Sequence, residues 1–298
     1  MLRRVGVGVF AAAVAINVGT FVFTGTRWWL LLRHAGEKVG WRDVLPSYYL
    51  GLFFNNLLPT GVGGDVVRTV HLNRRGLALK ALAASMIVDR AIGLLVMLLA
   101  ATACAVWIPS IPIDQNVRDS ALILFGACVG GTVLALSPLA GKFLSWLQQL
   151  ARNTRWRRGA LESLMLCYAY RAKPGLLLIA AALSLIAQSL AISSYALLGH
   201  GIGIELAPAS YFVVIPIVFV AAMLPISLGG LGVREGALVA LLMLLGVDRQ
   251  LAIGLSLLYL FALWLSTLPG ALVLLMRGAA GIGDVVAESA KSKPAGPR

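Results

Sequence analysis

Residues 58–68 read LPTGVGGDVVR and residues 224–234 read LPISLGGLGVR, so the chain repeats one apolar phrase 166 positions later. Leu58, Pro59, Gly63, Gly64, Val67 and Arg68 recur as Leu224, Pro225, Gly229, Gly230, Val233 and Arg234. Each copy sets a Pro and a Gly pair inside a long hydrophobic stretch, then an arginine four residues past the second Gly. In lipid an irregular backbone leaves polar groups without partners, so each break must face protein or a wet cavity. That reading makes the chain a membrane protein with two interrupted helical regions.

Composition agrees. Hydrophobic residues make up 59% of the 298 residues and mean hydropathy is +0.89, well above soluble domains at ~45–50% apolar. Apolar runs of about 20 residues mark full membrane spans, here expected near 5–24, 82–107, 119–139, 175–199 and 250–276. Residues 44–73 and 209–246 each hold two apolar stretches around a Pro/Gly break and read as re-entrant hairpins or broken helices. The expected fold is therefore all-α and polytopic: five full spans and two broken hairpins related as inverted repeats. One transmembrane domain covers 1–283, and 284–298 is a polar, disordered tail. The first 23 residues resemble a signal peptide, but the apolar run is too long and no cleavage site follows, so it reads as a retained span.

The net charge of +13 does not indicate nucleic acid, because the charges lie between spans and lack aromatic interleaving. Basic loops mark the cytoplasmic side. They are 25–43 (Arg27, Arg33, Lys38, Arg42), 74–80 (Arg74, Arg75, Lys80), 140–174 (seven Lys or Arg against Glu162) and the tail. Segments 108–118 and 200–208 carry only Arg118 among basic residues and read as external. This works if 44–73 enters and leaves on the cytoplasmic side and 209–246 does so on the outer side, which inverts the two motif copies, a common transporter plan. The C-terminus is then cytoplasmic. Arg3 and Arg4 fall outside, so either the first span is frustrated or another span precedes it. Stretches 27–34 and 143–170 read as amphipathic segments on the inner surface, with a solvated basic loop the other reading of 143–170.

Pro59 cannot continue a helix, and Gly61, Gly63 and Gly64 let the chain turn. A half-helix starting near Asp65 offers free N–H groups and a positive dipole end to an anion. Arg68 lies one turn on from Asp65, and Asn55, Asn56 and Thr60 add neutral hydrogen-bonding groups. The second break repeats this with Ser227, Gly229, Gly230, Arg234 and Glu235, although Leu231 stands where Asp65 does. Asp89 and Arg90 interrupt the apolar span 82–107. An Asp or Arg at a helix centre costs about 2.5–3.5 kcal/mol, so these six charges would cost on the order of 15–20 kcal/mol if central and unpaired. Gln188 and Tyr195 are weaker candidates. Asp65–Arg68 and Arg234–Glu235 also fit hairpin-locking ion pairs, and Asp89 fits a cap or a partner for a basic side chain. Cys104, Cys128 and Cys167 lack metal or disulfide spacing and read as packing residues.

NNLLPTGVGGDVVR (55–68) with PISLGGLGVREG (225–236), the Arg27–Trp28 pair and the late LPG at 268–270 resemble the flippase-like, or lysylphosphatidylglycerol synthase transmembrane-region, family of bacterial and archaeal membrane proteins. The resemblance covers nearly the whole chain. It implies a cytoplasmic-membrane location. Its motif positions here are Asn55, Asn56, Pro59, Gly63, Gly64, Asp65, Arg68, Pro225, Gly229, Gly230, Arg234 and Glu235. In aminoacyl-phospholipid proteins a region of this kind is associated with moving a modified lipid between leaflets. There it is fused to a soluble aminoacyltransferase domain that this sequence does not contain. The family has one more span before its RW-ended helix.

The favoured function is a flippase or transporter for a lipid with an anionic headgroup, a phospholipid or a polyprenyl phosphate. Membrane lipids are its partners, a lipid-synthesising enzyme is a possible further one, and no cofactor is expected. A small-solute or ion transporter is the alternative. A lipid-modifying enzyme such as a glycosyltransferase is a third class, disfavoured because DxD, HExxH and GxSxG signatures are missing.

Overall fold

In the computed structural model, described for residues 6–58, 63–107, 115–150, 155–223 and 232–277, every regular element is helical. The helices are α1 (Val7–His34), α2 (Trp41–Leu57), α3 (Gly63–Asn73), α4 (Leu79–Trp107), α5 (Gln115–Leu136) and α6 (Pro138–Leu150). They continue with α7 (Arg155–Ala169), α8 (Pro174–Gly201), α9 (Pro208–Met223), α10 (Val233–Leu244), α11 (Arg249–Ser266) and α12 (Leu268–Arg277). Four stretches are long and apolar enough to cross a membrane: Val7–His34, Leu79–Cys104, Pro174–Gly201 and Arg249–Met276. This is a multi-pass membrane protein.

Two expectations need correction. The span expected at 5–24 runs on to His34, a helix of 28 residues and ~42 Å. Residues 27–34 are therefore its last two turns and not a separate surface helix, and Arg27 is 5% exposed, not a loop charge. RWWLLLRH is too apolar for a loop, and Arg27 has a buried partner. The expected span 119–139 is not one straight helix either. Phe125–Leu134 and Pro138–Trp146 are bent by 65°, because Ser137 turns its N–H and hydroxyl back to the Leu134 carbonyl and Pro138 cannot join the preceding helix ladder. Among the described residues there are thus four helices long and apolar enough to span a membrane, or five if the bent pair is one span. Beyond it, 143–170 resolves into α6 and α7 rather than a loop; Phe143 and Trp146 stack 5.8 Å apart on the exposed side of α6.

Element order repeats. A span, a turn through a positive-φ glycine, a helix, a break, a short helix, a second such turn and another span describe both α1–α4 and α8–α11. The turn glycines are Gly36 (φ 94) and Gly76 (φ 93), then Gly203 (φ 90) and Gly246 (φ 81). α1 and α8 lie against each other and run antiparallel: Ser194 Oγ donates to the Ala13 carbonyl at one end and Arg27 reaches Ser184 further along.

α3 folds back along α2. Gly51 and Gly64 touch backbone to backbone, since a Cβ on Gly64 would sit 1.9 Å from the Gly51 carbonyl oxygen. Arg75 and Asp43 close the base of this hairpin at 2.7 Å. Gly270 lets α12 approach α2 as closely, 2.2 Å from a built Cβ to the Tyr49 carbonyl oxygen. The base of the hairpin lies at a basic end of the molecule. There His34 packs on Tyr170 at 5.0 Å, Glu37 accepts from the Ala78 N–H and Lys80 pairs with Glu162.

Candidate functional site

α3 starts at Gly63, directly after the break, so Asp65 falls in its first turn and Arg68 one turn later. Asn55, at the end of α2, accepts a hydrogen bond from the Gly64 N–H at 2.8 Å. That contact satisfies one of the N–H groups a helix start leaves open. Asn56 turns the other way and donates to Thr267 at 2.9 Å, tying the hairpin to the α11–α12 junction.

Asp65 is the centre of the first cluster. One oxygen meets Arg68 at 2.8 Å and the other meets Arg90 at 2.5 Å. Arg68 is sealed in: its side chain is 4% exposed, and its guanidinium lies over Trp28 at 4.3 Å and Tyr48 at 5.0 Å. Its Nε has no partner among the described residues. Arg90 differs, with 46% of its side chain exposed. It lies eleven residues into α4, ~16 Å from the start of that helix. Two arginines around one aspartate leave a positive charge inside an apolar helix, on a side chain that can be reached.

A second pair sits beside it. Arg27 Nε donates to Asp89 at 2.7 Å, and Arg27 Nη1 donates to Ser184 at 2.8 Å. Asp89 is thus a partner to a basic residue, not a cap. Gln188 continues this polar seam by donating to the Gly93 carbonyl at 2.8 Å and to Ser184 at 3.0 Å. The pair is neutral and buried and joins α1, α4 and α8. The Arg27–Trp28 dipeptide therefore serves both clusters, because Trp28 lies under Arg68 and donates to Ser85 at 3.1 Å.

In the second copy, Thr60 of the first break and Ser227, Gly229 and Gly230 of the second lie outside the described residues, as do Pro59 and Pro225. Arg234 bonds its sequence neighbour Glu235 at 2.6 Å and 3.0 Å. The other Glu235 oxygen caps α10 by accepting from the Gly232 N–H at 2.7 Å. Tyr195 and Tyr259, stacked at 3.4 Å, lie within electrostatic reach of Arg234.

The structure thus brings Asp65, Arg68 and Arg90 together, with Arg27–Asp89 as their neighbour, and holds Arg234 and Glu235 elsewhere. Arg68 packs on Trp28. The tyrosines near Arg234 belong to the core that includes Ala13, fifteen residues earlier on α1 and ~22 Å along its axis. Trp28, Tyr48, Arg27 and Ser184 were not among the candidate residues of the sequence. The apolar run after Arg27 is the one signal that points to its burial.

The family model described as lysylphosphatidylglycerol synthase TM region matches residues 1–270. The chain belongs to this family. The family is associated with lipid modification and translocation. No curated protein and no solved structure matches the chain. In family terms, the two clusters occupy the transmembrane region itself. Among the described residues no group of three His, Cys, Asp or Glu could hold a metal ion.

Proposed function

We propose that this member of the family moves a lipid with an anionic, phosphate-bearing headgroup between leaflets by alternating access. One observation carries the reading: the half-exposed Arg90, whose aspartate is already shared with Arg68, on an apolar helix long enough to cross a membrane. Ionisable residues inside a membrane bundle mark substrate pathways by default. A phosphate offers Arg90 the same charge-assisted contacts that Asp65 supplies when the site is empty. Asp65 then stays with Arg68, whose aromatic packing holds it in place.

Asn55 and Asn56 stand at the end of α2 beside the start of α3, and Arg234 with Glu235 stands at the start of α10; Thr60, Ser227, Gly229 and Gly230 are assigned to the same two sites from the sequence motif alone. The antiparallel α1 and α8 and the repeated element order support an inverted-repeat reading. In it the basic end faces the cytoplasm and each hairpin opens to its own side. Acyl chains stay in lipid while the headgroup passes.

The test is reconstitution in liposomes with a fluorescent phospholipid and a polyprenyl phosphate. Translocation by the parent should fall at least about tenfold in Arg90→Gln, from the ~1.5–3 kcal/mol of a hydrogen bond to a charged group. It should fall further in the Arg68→Ala/Arg234→Ala double variant. Equal rates in parent and variants would refute the site. Uptake of free phosphate without lipid movement would favour the solute-transporter reading instead.

A further inference from the structure

The two halves differ where a half-helix meets the following span. In the first half Arg90 of α4 bridges to Asp65 of α3 and closes that contact. The turn glycines Gly76 and Gly246, and the first residues of α4 and α11, are each 170 positions apart, so the residue of α11 that matches Arg90 is Leu260, which carries no charge to bridge. The corresponding cleft, between α10 and α11, is open: a cavity of about 510 Å³ lined by one face of each helix. That lies within the ~300–1,000 Å³ typical of small-ligand sites.

The cleft is polarised along its length. Val239, Met243, Ile253 and Leu257 make its walls. From Glu235 to Met243 it follows eight residues of α10, ~12 Å, close to the ~15 Å half-thickness of a hydrocarbon core. Its inner end holds Ser256 and Glu235, but the Glu235 carboxylate is already engaged by Arg234 and the Gly232 N–H. Its mouth holds Arg249, the first residue of α11, exposed and beside the turn at 245–248. No acidic partner to Arg249 is present among the described residues; Asp248 next to it accepts from the Gln250 and Leu251 N–H groups as the helix cap. The cleft therefore offers, at its mouth, an exposed arginine with no ion-pair partner among the described residues, beside the Asp248 helix cap, and beneath it an apolar channel about one leaflet long.

We propose that this cleft is a binding site for one anionic phospholipid, with its phosphate on Arg249 and an acyl chain between α10 and α11. The site is independent of the transport reading: it stands whether or not the protein moves lipid.

Ala240 lines the cleft and is exposed, so Ala240→Trp places a reporter in it. In nanodiscs, fluorescence of that variant, with the parent signal subtracted, should be quenched more by brominated phosphatidic acid than by brominated phosphatidylcholine. A single arginine near the surface implies about a fivefold preference. Arg249→Gln in the same background should remove it. Equal quenching by the two lipids, or a preference that survives Arg249→Gln, would overturn the site. Native mass spectrometry of the chain without the tryptophan gives a second measurement. Phosphatidic acid should be retained by the parent and lost from Arg249→Gln, and equal retention would count against the proposal as directly.

Discussion

Arg27 stands in the sequence among basic residues that mark a loop, yet it carries a buried ion pair with Asp89 inside the helix bundle. Removing one partner of such a pair leaves an uncompensated charge and costs about 3–5 kcal/mol, whereas replacing both with apolar groups of similar volume is often neutral. Arg27→Met and Asp89→Leu should each lower the unfolding midpoint in detergent, and the double variant should recover most of the loss. Additive losses would mean that the two side chains are not coupled. Arg27, Asp89 and Arg68 are enclosed whereas Arg90 is half-exposed, so in the proposed function Arg90 is the member that meets the ligand and the other three position it. Cys167, on α7 and outside the spans, donates to the Ala84 carbonyl. Burial pushes its thiol up to about 11, which keeps it protonated and unreactive near neutral pH.

At the scale of elements, the first hairpin depends on the absence of side chains at one crossing. A Cβ at Gly51 would lie 2.7 Å from the Gly64 carbonyl oxygen and 3.2 Å from the Arg68 Cβ. Gly51→Ala should therefore push α3 away from α2, loosen Arg68 from Tyr48 and destabilise the protein by about 1–3 kcal/mol, as overpacking does. Chemical denaturation in detergent would measure it, and an unchanged midpoint would show that the hairpin gives way without cost. The hairpins themselves were legible because Pro and Gly interrupt apolar runs for a reason that is local to the chain. The contact between Gly51 and Gly64 was less so: Gly51 lies outside the repeated motif, and nothing local distinguishes it from a glycine placed for other reasons.

The whole molecule has one end where His34, Asp43, Arg75, Lys80 and Tyr170 meet, and the α10–α11 turn lies beyond the core that packs on the other end of α1. If the halves are inverted in the membrane, single cysteines placed at Arg75 and at Asp248 in a background lacking the native cysteines should react with a membrane-impermeant maleimide from opposite sides of sealed vesicles. Labelling of both from one side would remove the inversion and with it the alternating-access scheme.

Membrane residence, the family and four of the five expected spans were readable from the chain, whereas the fifth, 119–139, is bent at Ser137–Pro138. They follow from run length, hydropathy and Pro/Gly punctuation, which act within a few turns of one segment. The tertiary structure decided which charges belong together. Asp65 with Arg90, Arg27 with Asp89 and Trp28 beneath Arg68 are pairings across 25, 62 and 40 positions. Only the packing of α1, α3, α4 and α8 brings those groups within hydrogen-bonding or ring-contact distance, and it is the same packing that leaves Arg90 open while it seals Arg68.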